Sequence, residues 1–342
     1  MSAAKKILVT GGAGYIGAHT VVELHHAGYE AIIVDDLSRS DDTLLKGIET
    51  ITGKPVTFFQ GDCCDKKFLN DVFRKAGPIS CALHFAAYKS VGESVSKPLD
   101  YYRNNVGSLI TLLEVMKEHG VKDLIFSSSC TVYGQPDHIP VDEKAPFKRA
   151  ESPYGASKQV CERVLEDAYT TGFRIVSLRY FNPVGAHPSV LMGEIPIGPP
   201  NNLVPYITQT AAGIREKVTV FGNDYNTPDG TCIRDFIHVV DLAVAHVKAM
   251  EFLGKQPDKD LYEVFNLGTG VGVSVLQLIH VFMKVTSVNL PFVIGPRRPG
   301  DIEKVFADPS KVNTALQWQT KYSLEESLLH AWQWEKKIRN IR

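Results

Sequence analysis

Several features that mark other classes of protein are scarce or missing in this chain of 342 residues. Its six cysteines are scattered without a Cys-x-x-Cys pair, which argues against a disulfide scaffold and favours a reduced, cytoplasmic protein. No apolar run approaches the length of a membrane span, and the opening stretch MSAAKKILVT lacks the pattern of a signal peptide. The 37 Lys and Arg balance the 38 Asp and Glu, so no surface for nucleic acid or membrane is indicated. No metal site is expected.

Short apolar runs alternate with helical patterns through the first half of the chain. The runs are KKILVT, AIIVDD, VTFFQGD, ISCALHFAA, DLIFSSS and RIVSLRYF. This alternation is typical of βαβ units, so we expect an α/β fold with a doubly wound parallel Rossmann sheet. The pattern loosens after Phe181. We therefore expect a first domain over 1–181, with returning elements near 237–267, and a smaller C-terminal α/β domain over 182–342, with a soft boundary.

The segment TGGAGYIG follows the first predicted strand and matches G-x-G-x-x-G through Gly12, Gly14 and Gly17. Glycine lets the backbone approach a pyrophosphate at a helix N-terminus, where free N–H groups favour an anion. Asp35 ends the second predicted strand, where a carboxylate binds ribose hydroxyls and repels a 2′-phosphate. NAD is therefore favoured over NADP, and the alternative is a Gly-rich turn in a flavodoxin-like fold.

Two further stretches suggest acid–base chemistry. SSSCTVYG ends the fifth predicted strand, at the sheet edge where ligands bind, and SPYGASK opens the next helix with Ser152 as N-cap and Pro153 at the first position. Tyr154 and Lys158 share one face of that helix. Each stretch alone is ordinary. Beside a dinucleotide they predict that Tyr154 acts as a base while Ser129 holds the same substrate oxygen.

A tyrosine base needs a lowered pKa. Its usual pKa is about 10, and we expect Lys158 and the oxidised nicotinamide, both positively charged, to favour the phenolate. A decrease of roughly three pKa units would require about 4 kcal/mol of differential stabilisation.

With these motifs the chain resembles the extended short-chain dehydrogenase/reductase family, and within it the UDP-glucose 4-epimerases. The resemblance runs over nearly the whole chain and rests on TGGAGYIG, HFAAYKSVGES, YYRNNVGS, SSSCTVYG, SPYGASK, LRYFNPVGAHPS, NNLVPYI, FGNDYNTPDGTCIRDFIHV and RRPGD. It implies reversible epimerisation of UDP-galactose and UDP-glucose at C4, by transient hydride transfer to tightly bound NAD+ through a 4-keto intermediate. It also implies a homodimer with a role in galactose and nucleotide-sugar metabolism.

The resemblance also assigns roles to individual residues. The catalytic residues are Tyr154, Lys158 and Ser129. Those that bind NAD are Gly11, Gly12, Gly14, Tyr15, Ile16, Gly17, Asp35, Asp62, Cys63, Phe85, Ala86, Lys89, Asn105, Tyr154, Lys158 and Phe181. Those that bind the UDP-sugar are Ser129, Tyr154, Asn182, Asn202, Leu203, Arg234, Arg298, Asp301 and Val305. The arginines would supply local positive charge to the phosphates.

Two positions depart from the family pattern. Cys130 stands where alanine is usual, and its thiol could make the site sensitive to alkylation. Val305 falls where the family varies between a bulky tyrosine and a small residue that admits an N-acetyl group. Valine is intermediate, so acceptance of UDP-GlcNAc and UDP-GalNAc stays open, as does that of UDP-pentoses.

Three other functions share this fold. Nucleotide-sugar 4,6-dehydratases carry acidic residues where this chain has Cys130 and Thr131, neither of which can replace a carboxylate. A simple NAD-dependent dehydrogenase would release NADH at each turnover. A non-catalytic NAD-binding scaffold typically lacks the Tyr or the Lys, and both are present here. The apolar stripe in SLITLLEVM is compatible with a dimer interface or with contacts inside the core.

Overall fold

The computed structural model describes residues 4–256, 260–298 and 300–341. The strands are β1 Lys6–Thr10, β2 Glu30–Asp35, β3 Thr57–Gln60, β4 Ile79–His84, β5 Asp123–Ser129, β6 Arg174–Tyr180, β7 Asn182–Val184, β8 Val218–Phe221, β9 Ile233–Arg234, β10 Phe236–His238, β11 Leu261–Leu267, β12 Val273–Ser274, β13 Phe292–Gly295 and β14 Lys304–Val305. The helices are α1 Tyr15–His26, α2 Thr43–Thr52, α3 Lys66–Ala76, α4 Val91–Ser96, α5 Pro98–Glu118, α6 Pro153–Ala168, α7 Leu203–Ala211, α8 Val239–Gly254, α9 Val275–Thr286, α10 Ser310–Leu316 and α11 Leu324–Ile338.

The main sheet has seven strands in the order β11-β6-β5-β4-β1-β2-β3, and all its pairs are parallel. Each of the six predicted apolar runs forms one of these strands. The predicted doubly wound α/β fold is thus confirmed. The chain order reverses between β1 and β4, and such a switch point opens a crevice at the carboxyl ends of the strands.

Helices cover both faces of this sheet. Successive strand side chains point to opposite faces, so Val9 and Ile33 pack with helices α1, α2, α8 and α10, whereas Leu8 and Ile32 pack with α3, α5 and α6. Burial on both sides explains why the strands read as continuous apolar runs. The stripe in SLITLLEVM belongs to this core, because Leu109, Leu112, Leu113 and Met116 are all buried.

The second half of the chain has a separate, smaller core. Helices α7, α9 and α11 pack with β8 around Val204, Ile279 and Leu328. Three small sheets pair β10 with β7, β12 and β14 with β9, and β13 with β8. The segment YEVFNLG returns to the main sheet as β11, next to β6, and VVDLAVAHVKAMEF forms α8, which packs against α1.

No helix among the described residues combines the length and apolar character needed to cross a bilayer. All six cysteines lie within the described part of the chain, and all are free thiols.

Candidate active site

The glycine-rich turn between β1 and α1 lies at the switch point of the sheet. Gly11 has φ +72°, and a Cβ there would lie 2.6 Å from the backbone nitrogen of Ala86, so this position requires glycine on both counts. A Cβ on Gly17 would strike the Gly11 carbonyl oxygen. Gly14 is the N-cap of α1 and provides no capping side chain, so the first-turn N–H groups of this helix are available to an anion.

A carboxylate faces this turn from the end of β2. Asp35 is 8% exposed, and its oxygens accept hydrogen bonds from the N–H groups of Ala13 and Leu37 and from Ser40 Oγ, at 3.0 to 3.1 Å. Burial raises the pKa of this carboxyl, and the hydrogen bonds from those three donors offset only part of the increase. Asp62, which is exposed, and Cys63, which is buried, follow β3 at the same edge. Cys63 is an unreactive thiol, because burial raises its pKa.

The loop after β4 completes the cofactor side. The Phe85 N–H donates to the Thr10 carbonyl at 2.9 Å, which brings Phe85 and Ala86 against the glycine-rich turn. Asn105 is buried and holds this loop from behind, since its side chain bonds both backbone groups of Tyr88 and donates to Ser157 Oγ at 3.0 Å. Its side chain is therefore committed to the support of the loop.

Two other predicted cofactor residues also have structural contacts. The Tyr15 hydroxyl donates to the Gly185 carbonyl at 2.7 Å, and Ile16 packs partly buried against the core around α1. Phe181 is 4% exposed and lies in a small core cluster with Val305.

The three predicted catalytic residues meet at the carboxyl end of β5. Ser129 is 8% exposed and caps a 3₁₀ turn over Cys130–Tyr133, with its Oγ accepting from the Thr131 N–H at 3.3 Å. Helix α6 begins as predicted, because Ser152 Oγ accepts from the Gly155 N–H and Pro153 is its first residue. Tyr154 is half-buried beside Ser129.

Lys158 points from the same helix into the end of the sheet. It is 3% exposed, its Nζ donates to the Ser127 carbonyl at 2.6 Å, and the charge lies 4.8 Å from the centroid of the Phe126 ring. Burial lowers the pKa of Lys158 to about 8. The ammonium is therefore held by one carbonyl and one aromatic face.

Burial dominates the electrostatics of Tyr154 in the protein alone. Burial raises its pKa to about 12, and the contact with Ser129 offsets only part of that increase. The expected decrease involves the oxidised nicotinamide as well as Lys158, so it stays a prediction for the protein with its coenzyme. In the protein alone, desolvation of the phenolate is the largest influence on this pKa. Cys130 is half-buried in the same corner, and desolvation raises the pKa of its thiol to about 12, which disfavours the thiolate that alkylation requires.

Several of the predicted substrate residues lie close together around β9, and two arginines approach the carboxylate of Asp301. Asp301 accepts from Arg298 Nη2 at 2.6 Å, and Arg234 Nη2 lies 3.9 Å from the same oxygen. Val305 pairs with Arg234 between β14 and β9 and is 3% exposed. Asn182 lies nearby, since its N–H donates to the Asp235 carbonyl at 2.8 Å, and no donor among the described residues reaches its buried Oδ1.

Comparison with known proteins decides the family. A family model described as GDP-mannose 4,6 dehydratase matches residues 8–330. UDP-glucose 4-epimerase of Bacillus subtilis (strain 168) is 48% identical over 331 residues, 96% of each chain, and that of Pasteurella multocida (strain Pm70) is 48% identical over 333 residues, 97% of each. The crystal structure of UDP-glucose 4-epimerase from Bifidobacterium longum in complex with NAD+ and UDP is 46% identical, with a TM-score of 0.94 over 99% of this chain and 100% of that one.

The chain belongs to the UDP-glucose 4-epimerase family. The dehydratase description of the broader family model does not change this, because Cys130 and Thr131 provide no carboxylate beside Ser129. Within the described ranges, no group of three or more His, Cys, Asp or Glu residues could hold a metal ion.

The residues of this epimerase-family member fit NAD. The close approach of Ala86 to Gly11 leaves no room for a side chain in the turn, the N-terminus of α1 has no side-chain cap, and Asp35 lies at the end of β2. These are the three requirements of a dinucleotide site: a tight turn, free N–H groups for the pyrophosphate, and a carboxylate for the ribose.

Sequence reasoning missed one residue that joins the two halves of the site. Glu194 Oε1 accepts from Lys89 Nζ at 2.8 Å and from Asn202 Nδ2 at 2.9 Å, so it connects a predicted NAD residue with a predicted substrate residue next to Leu203. A signal was present, because Glu194 is the only Asp, Glu, Lys or Arg between Arg179 and Arg215.

A second missed residue is Asn104. It helps to line a cavity of about 340 Å³ that also contacts Asp62, Cys64 and Tyr88, whereas Asn105 does not line it. Two adjacent asparagines in YYRNNVGS gave no basis for choosing between them, and the helical register of α5 determines which one faces the cavity.

Proposed function

We propose that this chain is an NAD-dependent isomerase that interconverts UDP-galactose and UDP-glucose by inverting C4 of the sugar. The observation that carries the proposal is the placement of Tyr154, Lys158 and Ser129 at the carboxyl edge of the sheet, next to the glycine-rich turn. Epimerase relatives crystallised with NAD and with UDP support it.

NAD would be held by the turn around Gly11, Gly12, Gly14, Tyr15, Ile16 and Gly17, by Asp35, Asp62 and Cys63, and by Phe85, Ala86, Lys89, Tyr154, Lys158 and Phe181. Asn104 joins this set, and Asn105 contributes through its support of the loop after β4. When bound, NAD accepts and returns the hydride at C4. The protein's own part is to orient this group at the switch point and to shield it from water.

Tyr154 and Ser129 act on the sugar 4-oxygen. Ser129 donates a hydrogen bond that holds the oxygen, and Tyr154 takes the hydroxyl proton as C4 becomes a ketone. After the 4-keto sugar has turned over in the site, Tyr154 returns the proton to the oxygen. The net reaction inverts C4 without overall oxidation, and Lys158 supplies the positive charge that the phenolate needs.

The uridine diphosphate would be bound by Asn182, Asn202, Leu203, Arg234, Arg298 and Asp301. The two guanidinium groups around Asp301 can offer charged donors to the phosphates. This local positive charge is needed because the overall charge of the chain is balanced.

From these two sets of residues we propose that residues 1–181, with the returning elements near 237–267, form an NAD-binding domain and that residues 182–342 form a substrate domain. Val305 would border the sugar.

We also propose a homodimer in a reducing, cytoplasmic compartment. Large apolar side chains are exposed on α4 and on one stripe of α5, and Val95 is 65%, Leu99 73% and Ile110 42% exposed. Val160 on α6 extends this surface at 41%. A second copy that covers these helices would bury them. Light scattering on Leu99→Glu tests the dimer, which we expect the variant to lose.

The function is tested by product analysis. The purified protein is incubated with UDP-galactose and no added coenzyme. We expect UDP-glucose to form catalytically without accumulation of NADH, because the coenzyme is reoxidised in each cycle. A 4-keto-6-deoxy product would identify a dehydratase instead, and stoichiometric NADH would identify a simple dehydrogenase.

A further inference from the structure

A buried ion pair lies directly behind the catalytic edge of the sheet. The side chains of Glu162 in α6 and Arg179 in β6 are 0% and 6% exposed, with Arg179 Nη2 2.6 Å from Glu162 Oε2. Replacement of such a pair by apolar side chains is often neutral for stability, because desolvation of the charges offsets their attraction. Stability alone therefore does not account for this pair, and its hydrogen-bond partners suggest another role.

All the acceptor positions of Glu162 are filled. Oε1 accepts from Ser128 Oγ at 2.5 Å and from Arg179 Nε at 2.9 Å. Oε2 accepts from Arg179 Nη2 at 2.6 Å and from the Tyr262 hydroxyl at 3.2 Å. A carboxylate offers about four lone-pair positions, so both hydroxyls are fixed as donors and the carboxylate cannot rotate without loss of a bond.

Arg179 extends the network on its other side. Its Nη1 donates to the Tyr133 hydroxyl at 2.8 Å, and a guanidinium only donates, so the Tyr133 hydrogen is directed to Asn266 Oδ1 at 2.6 Å. Asn266 Nδ2 in turn donates to the Val141 carbonyl at 2.8 Å. The guanidinium also lies 4.9 Å from the centroid of the Tyr133 ring. Each donor and acceptor in this chain of bonds thus has a defined direction.

The partners of the ion pair flank the catalytic residues. Ser128 directly precedes Ser129, and Tyr133 ends the 3₁₀ turn that Ser129 caps. Glu162 lies one helical turn after Lys158 and about two turns after Tyr154 on α6. The same two charges therefore fix β5, the 3₁₀ turn and α6.

We propose that the Glu162–Arg179 pair is a positioning device that holds the three catalytic side chains in one arrangement. Glu162 and Arg179 are positioning residues, since both act through their neighbours. The inference rests on the proposed function for the roles of those three side chains. A shift of about 1 Å at a reacting group can lower a rate on the order of 10²-fold. Loss of one hydrogen bond between the ion pair and the catalytic side should therefore lower turnover measurably.

The test removes single hydroxyls from the network, because loss of either charge would leave the other buried and unpaired. On the catalytic side, Ser128→Ala removes the hydrogen bond to Glu162, and Tyr133→Phe removes the hydrogen bond from Arg179. Tyr262→Phe is the matched control, since it deletes a hydroxyl that donates to the same Glu162 carboxylate from β11, a strand with no catalytic residue.

Each variant is studied as the protein with its retained coenzyme. The measurements are kcat with UDP-galactose, the Kd of UDP by calorimetry, the melting temperature, and amide hydrogen exchange of peptides that cover 127–134. We expect kcat to fall about 5- to 10-fold in Ser128→Ala and Tyr133→Phe and less than about twofold in Tyr262→Phe, with the Kd of UDP within about twofold throughout. Hydrogen exchange over 127–134 should increase only in the first two variants.

Equal losses of kcat in all three variants, or losses that follow the melting temperatures, would show a merely structural network and overturn the proposal. The exchange measurement separates failure of the positioning role from failure of the proposed function. If the unmodified protein does not epimerise UDP-galactose, the proposed function is refuted. Exchange over 127–134 that responds to Tyr262→Phe as strongly as to Ser128→Ala refutes the positioning role in that case too.

Discussion

Replacement of Lys158 by methionine should make the stability of the coenzyme-free protein less dependent on pH. Burial sets the folded-state pKa of this lysine to about 8, below its ordinary value of 10.5. The folded state therefore binds the proton less tightly than the unfolded state. The resulting destabilisation is absent well above pH 10.5, grows as the pH falls, and is complete below about pH 8.

The two pKa values determine the magnitude. Linkage gives a destabilisation of about 3 kcal/mol at pH 7 and about half as much at pH 9.5. Lys158→Met removes this term and also the hydrogen bond to the Ser127 carbonyl, which costs about 1 to 3 kcal/mol at either pH. The free energy of unfolding of the variant relative to that of the parent should therefore fall by about 2 kcal/mol between pH 7 and pH 9.5.

Urea unfolding of both coenzyme-free proteins at the two pH values measures this change. Equal m-values are required, so that the free energies of unfolding can be compared. Other titrating groups cancel in the difference between the two proteins. A difference that stays constant within about 0.5 kcal/mol would refute the reasoning, because it would mean that the lysine does not titrate between these pH values in the folded protein.

Three further predictions concern the same pocket. Tyr154→Phe should fold and retain NAD but lose turnover by on the order of 10²- to 10⁴-fold, and near-normal conversion of UDP-galactose would remove Tyr154 as the base. Cys130 should resist iodoacetamide at pH 7 because its raised pKa leaves almost no thiolate, which peptide mass spectrometry can check. Val305→Tyr should lower turnover of UDP-GlcNAc relative to UDP-galactose, because it adds bulk at a buried position beside Phe181. An unchanged ratio would place Val305 away from the sugar.

The main sheet could be predicted from the sequence because its strands are buried on both faces. Such strands must be apolar throughout, so KKILVT and DLIFSSS stand out from the helices between them. The start of α6 was equally accessible, since Ser152 and Pro153 are local signals that need no tertiary contact. The smaller core around Val204 gave no comparable pattern, because its strands contain only two to four residues.

The site was predictable in its motifs and less so in its side-chain contacts. The helical register that separates Asn104 from Asn105, and the contact of Glu194 with Lys89 and Asn202, both depend on long-range packing. The pKa of Tyr154 depends on how far the ring is desolvated, which spacing along a helix does not reveal. Sequence therefore predicts which groups meet at this edge of the sheet, but it does not reveal how far burial shifts their pKa values.

The protonation of this site leads to a further conclusion about how it is activated. Burial raises the pKa of Tyr154 and lowers that of Lys158, so in the protein alone both groups are shifted towards their neutral forms. A positive charge placed beside them would favour the phenolate and disfavour the ammonium, and a neutral group would do neither. The oxidised and reduced forms of a nicotinamide differ by this charge. The phenolate is thus most favoured when the bound group can accept hydride, and the neutral phenol is favoured when the group can return it. If the protein alone already held the pKa of Tyr154 well below neutrality, the phenolate would persist with both forms and this distinction would be lost.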